Sequence, residues 1–135
     1  MRRLAFVLMA ATVVAGLPIQ AHAAGRKTFV HDCIATKYRP RTYVPACDGA
    51  YFVKRLHWKF WWLRKAVGHG VYHINDCNPN CAEGTYHLRK GKLTFRYRWW
   101  CPSLHKYLFK RATAVYRRPY HGKRKVVFRA YFCPS

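Results

Sequence analysis

The sequence predicts an all-β domain held together by disulfides, and three observations carry that expectation. Val, Tyr, Phe, Trp and Thr are frequent, and no long stretch repeats its apolar residues every 3.6 positions. Seven prolines and eight glycines cut the chain into short runs, as turns between strands require. Six cysteines form an even set, and small exported domains use such sets as staples.

Strands are expected near 28–35, 41–46, 50–62, 66–75, 85–99, 106–117 and 125–132. About seven strands in one domain of this length point to a small antiparallel sandwich or barrel. The clearest alternation runs from Lys92 to Trp99, with Leu93, Phe95, Tyr97 and Trp99 on one face and Lys92, Thr94, Arg96 and Arg98 on the other. Near the end, Val126, Phe128, Ala130 and Phe132 alternate with Lys125, Val127, Arg129 and Tyr131. Between these two strands, Arg117 to Lys125 contains Pro119 and Gly122 and reads as a basic hairpin tip.

The run 50–62 places Phe52, Leu56, Trp58, Phe60 and Trp62 on one face. A turn centred on Arg64 would return Ala66, Gly68, Gly70, Tyr72 and Ile74 on the matching face. Trp58 would then lie opposite Gly70, Phe60 opposite Gly68 and Trp62 opposite Ala66. Wide rings over bare glycine backbone are a packing device.

The N-terminus carries an export pattern. Arg2 and Arg3 precede an apolar run from Leu4 to Leu17, Pro18 breaks it, and Ala21-His22-Ala23 supplies small residues where a signal peptidase cuts. The expected division is a signal peptide over 1–23 and a single basic domain over 24–135. The destination is extracellular, and oxidising conditions there favour three bridges. Six cysteines admit fifteen pairings. The strand layout favours Cys33–Cys47, Cys77–Cys81 and Cys101–Cys133, each closing a local or hairpin-sized loop.

One spaced motif stands out: Trp58-x2-Trp61-x4-Ala66-x-Gly68-x-Gly70-x6-Cys77-x-Pro79-x-Cys81-Ala82-x-Gly84. It resembles the signature of small exported proteins common in actinobacteria, ungapped over about a fifth of the chain. Weaker similarity extends through Arg39-Pro40 and Cys47-Asp48-Gly49, and along the strand after Gly84. The resemblance implies fold and export and brings no activity with it. This chain departs from the family in charge, since many such proteins are near neutral or acidic.

No enzyme chemistry is legible. His69 and His73 share a strand face but lie roughly 13 Å apart along it, too far to chelate one ion directly. Cys77 and Cys81 with His73 or His87 would form a soft metal site only in a reducing compartment. Asp48 and Asp76 sit in turn-like segments that call for Asx hydrogen bonds. Ser103 has no base placed for it other than His105, and no phosphate loop, nucleophile elbow or metalloprotease motif occurs. The reading leans against an enzyme, with no catalytic residue, no metal and no cofactor.

What remains is charge. Lys and Arg number 26 against four acids, a net +22. Loss of Arg2 and Arg3 with the leader leaves about +20, enough to attract polyanions. Arg96, Arg98, Lys106, Lys110, Arg111 and Arg117 lie on or beside strands rich in Tyr and Trp, a composition that can track phosphates while rings stack on bases. The same pattern arises from ordinary sheet alternation with long cations turned outward. The expected binding surface is Arg96 and Arg98 with the tip cations Arg117, Arg118, Lys123, Arg124 and Lys125. Its partner would be an anionic polymer at or outside the cell envelope: a wall polymer, nucleic acid or anionic lipid. A membrane-active cationic effector is the alternative, and an enzyme on wall or nucleic-acid polymers comes third.

Overall fold

The computed structural model describes residues 27–130 and 132–134. The export segment 1–23 and Tyr131 lie outside them. The described residues contain no helix and form β1 (Thr28–His31), β2 (Thr36–Lys37), β3 (Tyr51–Trp61), β4 (Lys65–Asn75), β5 (Tyr86–Cys101), β6 (Lys106–Tyr120) and β7 (Lys123–Arg129). They build one sheet, curled like half a barrel, in the order β2-β1-β6-β5-β4-β3, with β7 also on β6. A second packed sheet, as a sandwich needs, is not what these strands make. Nor is the sheet wholly antiparallel, because β1 runs parallel to the start of β6 through Thr28 and Phe29 against Tyr107 and Leu108.

The expected strand at 41–46 is reduced to a single bridge between Tyr43 and Val53. Pro40 and Pro45 flank it, and neither can donate to a ladder. The segment nevertheless closes the curl. Tyr43 exchanges both backbone hydrogen bonds with Val53, the Leu56 amide donates to Arg41, and the Cys33 amide donates to Val44. It thereby ties the β3 edge to the end of β1, covering edges that would otherwise template aggregation. The Trp61 indole donates to the Thr28 carbonyl and the Trp58 indole to the Pro40 carbonyl, both at 2.8 Å, across the same gap.

The concave side holds the core. Tyr43, Tyr72, Leu93, Phe95 and Phe109 are fully buried there, each large apolar side chain worth roughly 1.5–3 kcal/mol. Tyr43 meets Phe95 edge-on with ring centroids 5.0 Å apart.

The β3–β4 register differs from the expected one. Trp58 lies opposite Gly68 and Trp61 opposite Ala66, while Phe60 faces Val67. The turn is one residue tighter than expected, with the Trp62 amide donating to the Lys65 carbonyl. Two bulges also interrupt β3, the first between Lys54 and His57 and the second, which moves Trp58 one residue further, between Trp58 and Phe60. Arg55 takes a left-handed φ of 54° in the first. Each bulge resets the alternation, so the core face reads Tyr51, Val53, Leu56, Trp58 and Trp61. Phe52 instead stacks on His73 outside the core, and Trp62 is 69% exposed in the turn. The glycine device is real but shifted: a Cβ on Gly68 would stand 2.8 Å from the Trp58 ring. A second instance, unforeseen, has Tyr72 over Gly91, again at 2.8 Å. Gly70 instead lets β4 approach the bulge, where a Cβ would meet the Lys54 carbonyl at 2.9 Å.

The bridges pair as the layout favoured: Cys33–Cys47, Cys77–Cys81 and Cys101–Cys133. No described helix is long and apolar enough to cross a membrane.

Candidate polyanion-binding face

Residues directly opposed on neighbouring strands share a sheet face. The row Ala66–Phe95–Ala112–Phe128 crosses four strands and points into the core. The adjacent row, one residue along, is Lys65–Arg96–Arg111–Arg129 and points outward. Four cations therefore stand side by side across β4, β5, β6 and β7. A further outward row is His57–His69–Lys92–Val115–Lys125, and beyond it Lys54, Val71 and Lys90 align. An open groove of about 760 Å³ runs over this region, with Arg55, Lys90, Lys92, Arg117 and Arg124 on its walls.

None of the four acids lies in a strand. Asp32 is buried at the end of β1. Burial alone would raise its pKa. Against that, the Lys37 ammonium at 2.8 Å and the amides of Ala35, Ile34 and Val44 hold the carboxyl below its usual range. Asp48 accepts from the Ala50 amide, the Asx turn its position called for. Asp76 accepts from the amides of Thr85 and Asn78 and pairs with His87 at 3.1 Å, and these contacts lower its pKa. Glu83 accepts from the Asn80 side chain. The acidic side chains are thus spent in turns, and among the described residues none forms an ion pair with Lys65, Arg96, Arg111 or Arg129.

The tip is tighter than a loop from 117 to 125. β6 continues to Tyr120 and β7 begins at Lys123. His121 and Gly122 connect them with φ of 45° and 73°, the two left-handed residues of a type I′ turn. Between Val115 and Tyr120 the register slips, so that residues 116–119 of β6 face only Arg124 of β7. Arg117, Arg118, Lys123, Arg124 and Lys125 are all exposed. The Arg124 guanidinium reaches the Arg117 carbonyl at 3.4 Å. Arg96 stands far from this tip, since Arg111 is its partner while Tyr116 pairs with Gly91, a distance of roughly 17 Å along the strand. Lys92 lies between them on β5.

Arg98 departs from its expected solvent-facing role. Its guanidinium carbon sits 3.4 Å from the centroid of the Tyr107 ring. The cause is Tyr97, whose φ of 63° breaks the β5 alternation. Leu93 and Phe95 are buried as expected, whereas Tyr97 and Trp99 are 52% and 50% exposed. Lys65, Lys90, Lys92, Arg111 and Arg129 complete the face; Arg111 was named among the strand cations but not in the expected binding surface, and the other four were not named for binding. Counting back from a turn at Pro102–His105 sets Arg96 against Arg111, so that pair was recoverable from sequence. The others depend on the register of β4 and β7.

The described histidines do not gather into a metal site. His57 and His69 are cross-strand partners. Burial, Lys54 and Arg55 lower the pKa of His73. Among the described residues no three His, Cys, Asp or Glu side chains converge, and Cys77 and Cys81 are bridged to each other. The Ser103 hydroxyl donates to the Pro134 carbonyl beside the Cys101–Cys133 bridge.

Compared with known proteins, the chain matches no family model, no curated protein and no solved structure.

Proposed function

We propose that this chain is an exported basic domain that binds anionic polymers at or outside the cell envelope through the outward face of its sheet. The observation that carries the reading is the row Lys65–Arg96–Arg111–Arg129. Like charges placed directly opposite one another destabilise a sheet, and an acid at any of these positions would relieve the repulsion. The chain instead spends its four acids in turns. A polymer of closely spaced negative charges would neutralise the row and release its own counterions. The three disulfides fit an oxidising destination.

The test uses linear polyphosphate as the probe. Affinity should fall steeply with salt. Replacing Arg96, Arg111 and Arg129 by Gln should lower both the affinity and the salt slope, the slope by roughly 0.7–0.9 for each phosphate no longer neutralised if the nucleic-acid scale applies. Replacing the five tip cations should have a similar effect. No binding at low salt, or binding and slope unchanged in both variants, rejects the face.

A second reading has one observation in its favour. Trp62 and Leu63 are 69% and 40% exposed in the β3–β4 turn, beside Arg64 and Lys65. An apolar tip with adjacent cations suits an anionic lipid surface. Leakage from phosphatidylglycerol vesicles, abolished by Trp62→Ser with Leu63→Ser, would favour this reading over polymer binding.

A further inference from the structure

We infer that the polymer recognised is a single-stranded nucleic acid, whose bases seat on Tyr97 and Trp99 while its phosphates follow the arginine row. This rests on the reading of the outward face as a polyanion surface and adds the class of ligand.

The two rings occupy positions that strict alternation would bury with Leu93 and Phe95. The left-handed backbone at Tyr97 is uncommon for a bulky side chain. It leaves both rings half exposed, two residues apart on β5, which is roughly 7 Å along an extended strand. The Arg111 guanidinium lies 4.9 Å from the Tyr97 ring centroid, and the Lys110 ammonium lies 4.9 Å from the Trp99 ring. These residues, with Val127 and Arg129, line an open groove of about 600 Å³. On the other side of Tyr97 a second groove of about 720 Å³ is walled by Arg64, Lys65, Arg96 and Arg98. Tyr97 therefore stands between two cationic channels. The row from Lys65 to Arg129 crosses three interstrand gaps, about 14 Å in all, enough for several phosphates of an extended strand.

Ligand chemistry separates the candidates. A glycerol- or ribitol-phosphate wall polymer offers charge at regular spacing but no flat ring. A duplex offers phosphates, but its bases are stacked on one another inside. A single strand offers both phosphates for the cations and free ring faces for Tyr97 and Trp99, the combination that such platforms exploit. Nothing on this face is arranged to read base edges, so little sequence preference is expected.

The experiment compares a fifteen-nucleotide oligothymidylate, the duplex of the same length and linear polyphosphate of matched charge, at one salt concentration. Binding is read by fluorescence anisotropy of labelled probes. The oligothymidylate should bind at least tenfold tighter than polyphosphate. Trp99→Ala and Tyr97→Ala should each weaken it about 5- to 150-fold, with polyphosphate affinity unchanged. Trp99→Phe, which keeps a ring, should retain most of the binding. Leu88→Ala, an exposed site near the other end of β5, should have no effect, and intact masses should confirm three bridges in every variant. If polyphosphate binds but the oligothymidylate is no tighter and the ring variants match the parent, the inference falls and the polyanion reading stands. If neither probe binds at low salt, both fall.

Discussion

Two neighbouring rows of one sheet follow opposite rules. Ala66–Phe95–Ala112–Phe128 and Lys65–Arg96–Arg111–Arg129 cross the same four strands, one residue apart. The inner row alternates small and large side chains, so each ring has space made by an alanine beside it, and Phe95 is fully buried. In the outer row like stands next to like, and nothing about packing requires it. The inner row gains stability from its neighbours, while the outer row loses some to them. That difference separates what holds the fold from what the fold is free to present to a partner.

The sharpest way to break the comparison is to exchange the rows' roles by mutation. Phe95 touches Tyr43, Trp58, Trp61 and Phe109. Phe95→Ala should cost about 3–5 kcal/mol in denaturant unfolding. Arg96→Gln, the next residue, should stay within about 0.5 kcal/mol of the parent. Equal losses would mean that the outer row is structural after all.

Next in size are the glycines beneath the rings. A Cβ at Gly91 would meet the Val115 carbonyl at 2.6 Å as well as the Tyr72 ring. The backbone carbonyl cannot swing aside as a side chain can. Gly91→Val should therefore cost at least the roughly 1–3 kcal/mol typical of overpacking. A Cβ at Gly68 would meet the His57 carbonyl at 2.9 Å as well as the Trp58 ring at 2.8 Å, so Gly68→Val should cost about as much. A melting temperature unchanged in Gly91→Val would show that Tyr72 does not lie across bare backbone.

These glycines also show where the sequence was legible. β4 has no bulge, so its pattern Ala66, Gly68, Gly70, Tyr72 and Ile74 could be read directly. Leu93 and Phe95 on β5 were legible for the same reason. β3 was not, because a bulge is set by local backbone geometry at Arg55 and around Lys59, and neither residue type announces one. A turn one residue tighter than expected turned Phe60 away from the core and, together with the bulge around Lys59, moved Trp58 from Gly70 to Gly68, while the bulge at Arg55 turned Phe52 outward. Tyr97 misled in the same way, through a single positive φ. The three bridges followed from pairing each cysteine with a neighbour in the strand layout, the widest, Cys101–Cys133, spanning 32 residues. The cationic row was only half legible, since charge is visible residue by residue but adjacency across strands needs the register.

A smaller effect concerns pH. The Asp32 carboxylate holds three amides and Lys37 at the closure between β1 and the 41–44 segment. Its folded pKa lies below the unfolded value of about 3.9. The stability it contributes is complete above that value and is lost as pH falls through the folded pKa. Melting temperature should drop on acidification below about pH 4, and Asp32→Asn should be less stable at pH 7 with a shallower acid limb. Asp76, also lowered, should leave some slope in that variant. An acid limb identical to the parent's would mean that the carboxylate does not organise the closure.

The smallest effect is the one that tests the outer row most directly. If Arg111 is repelled by Arg96 on one side and Arg129 on the other, removing its charge should stabilise the fold slightly at low salt. The gain should fade in high salt, where the Debye length falls to a few ångströms. Opposing this is the Arg111 guanidinium, which lies over the Tyr97 ring, and truncation to Ala would remove the stem as well and mix a loss of packing with a relief of repulsion. Arg111→Gln keeps much of the stem and is the cleaner change. A cycle with Arg96→Gln separates the two contributions. Repulsion predicts that the double variant gains less than the sum of the single gains, and that this coupling vanishes at high salt. Packing predicts losses that salt does not move. Unfolding measured at about 20 mM and about 1 M salt, where screening is weak and nearly complete respectively, decides between them. A row that proved stabilising at both would have a structural reason to exist, and its charge would no longer argue for a polyanionic partner.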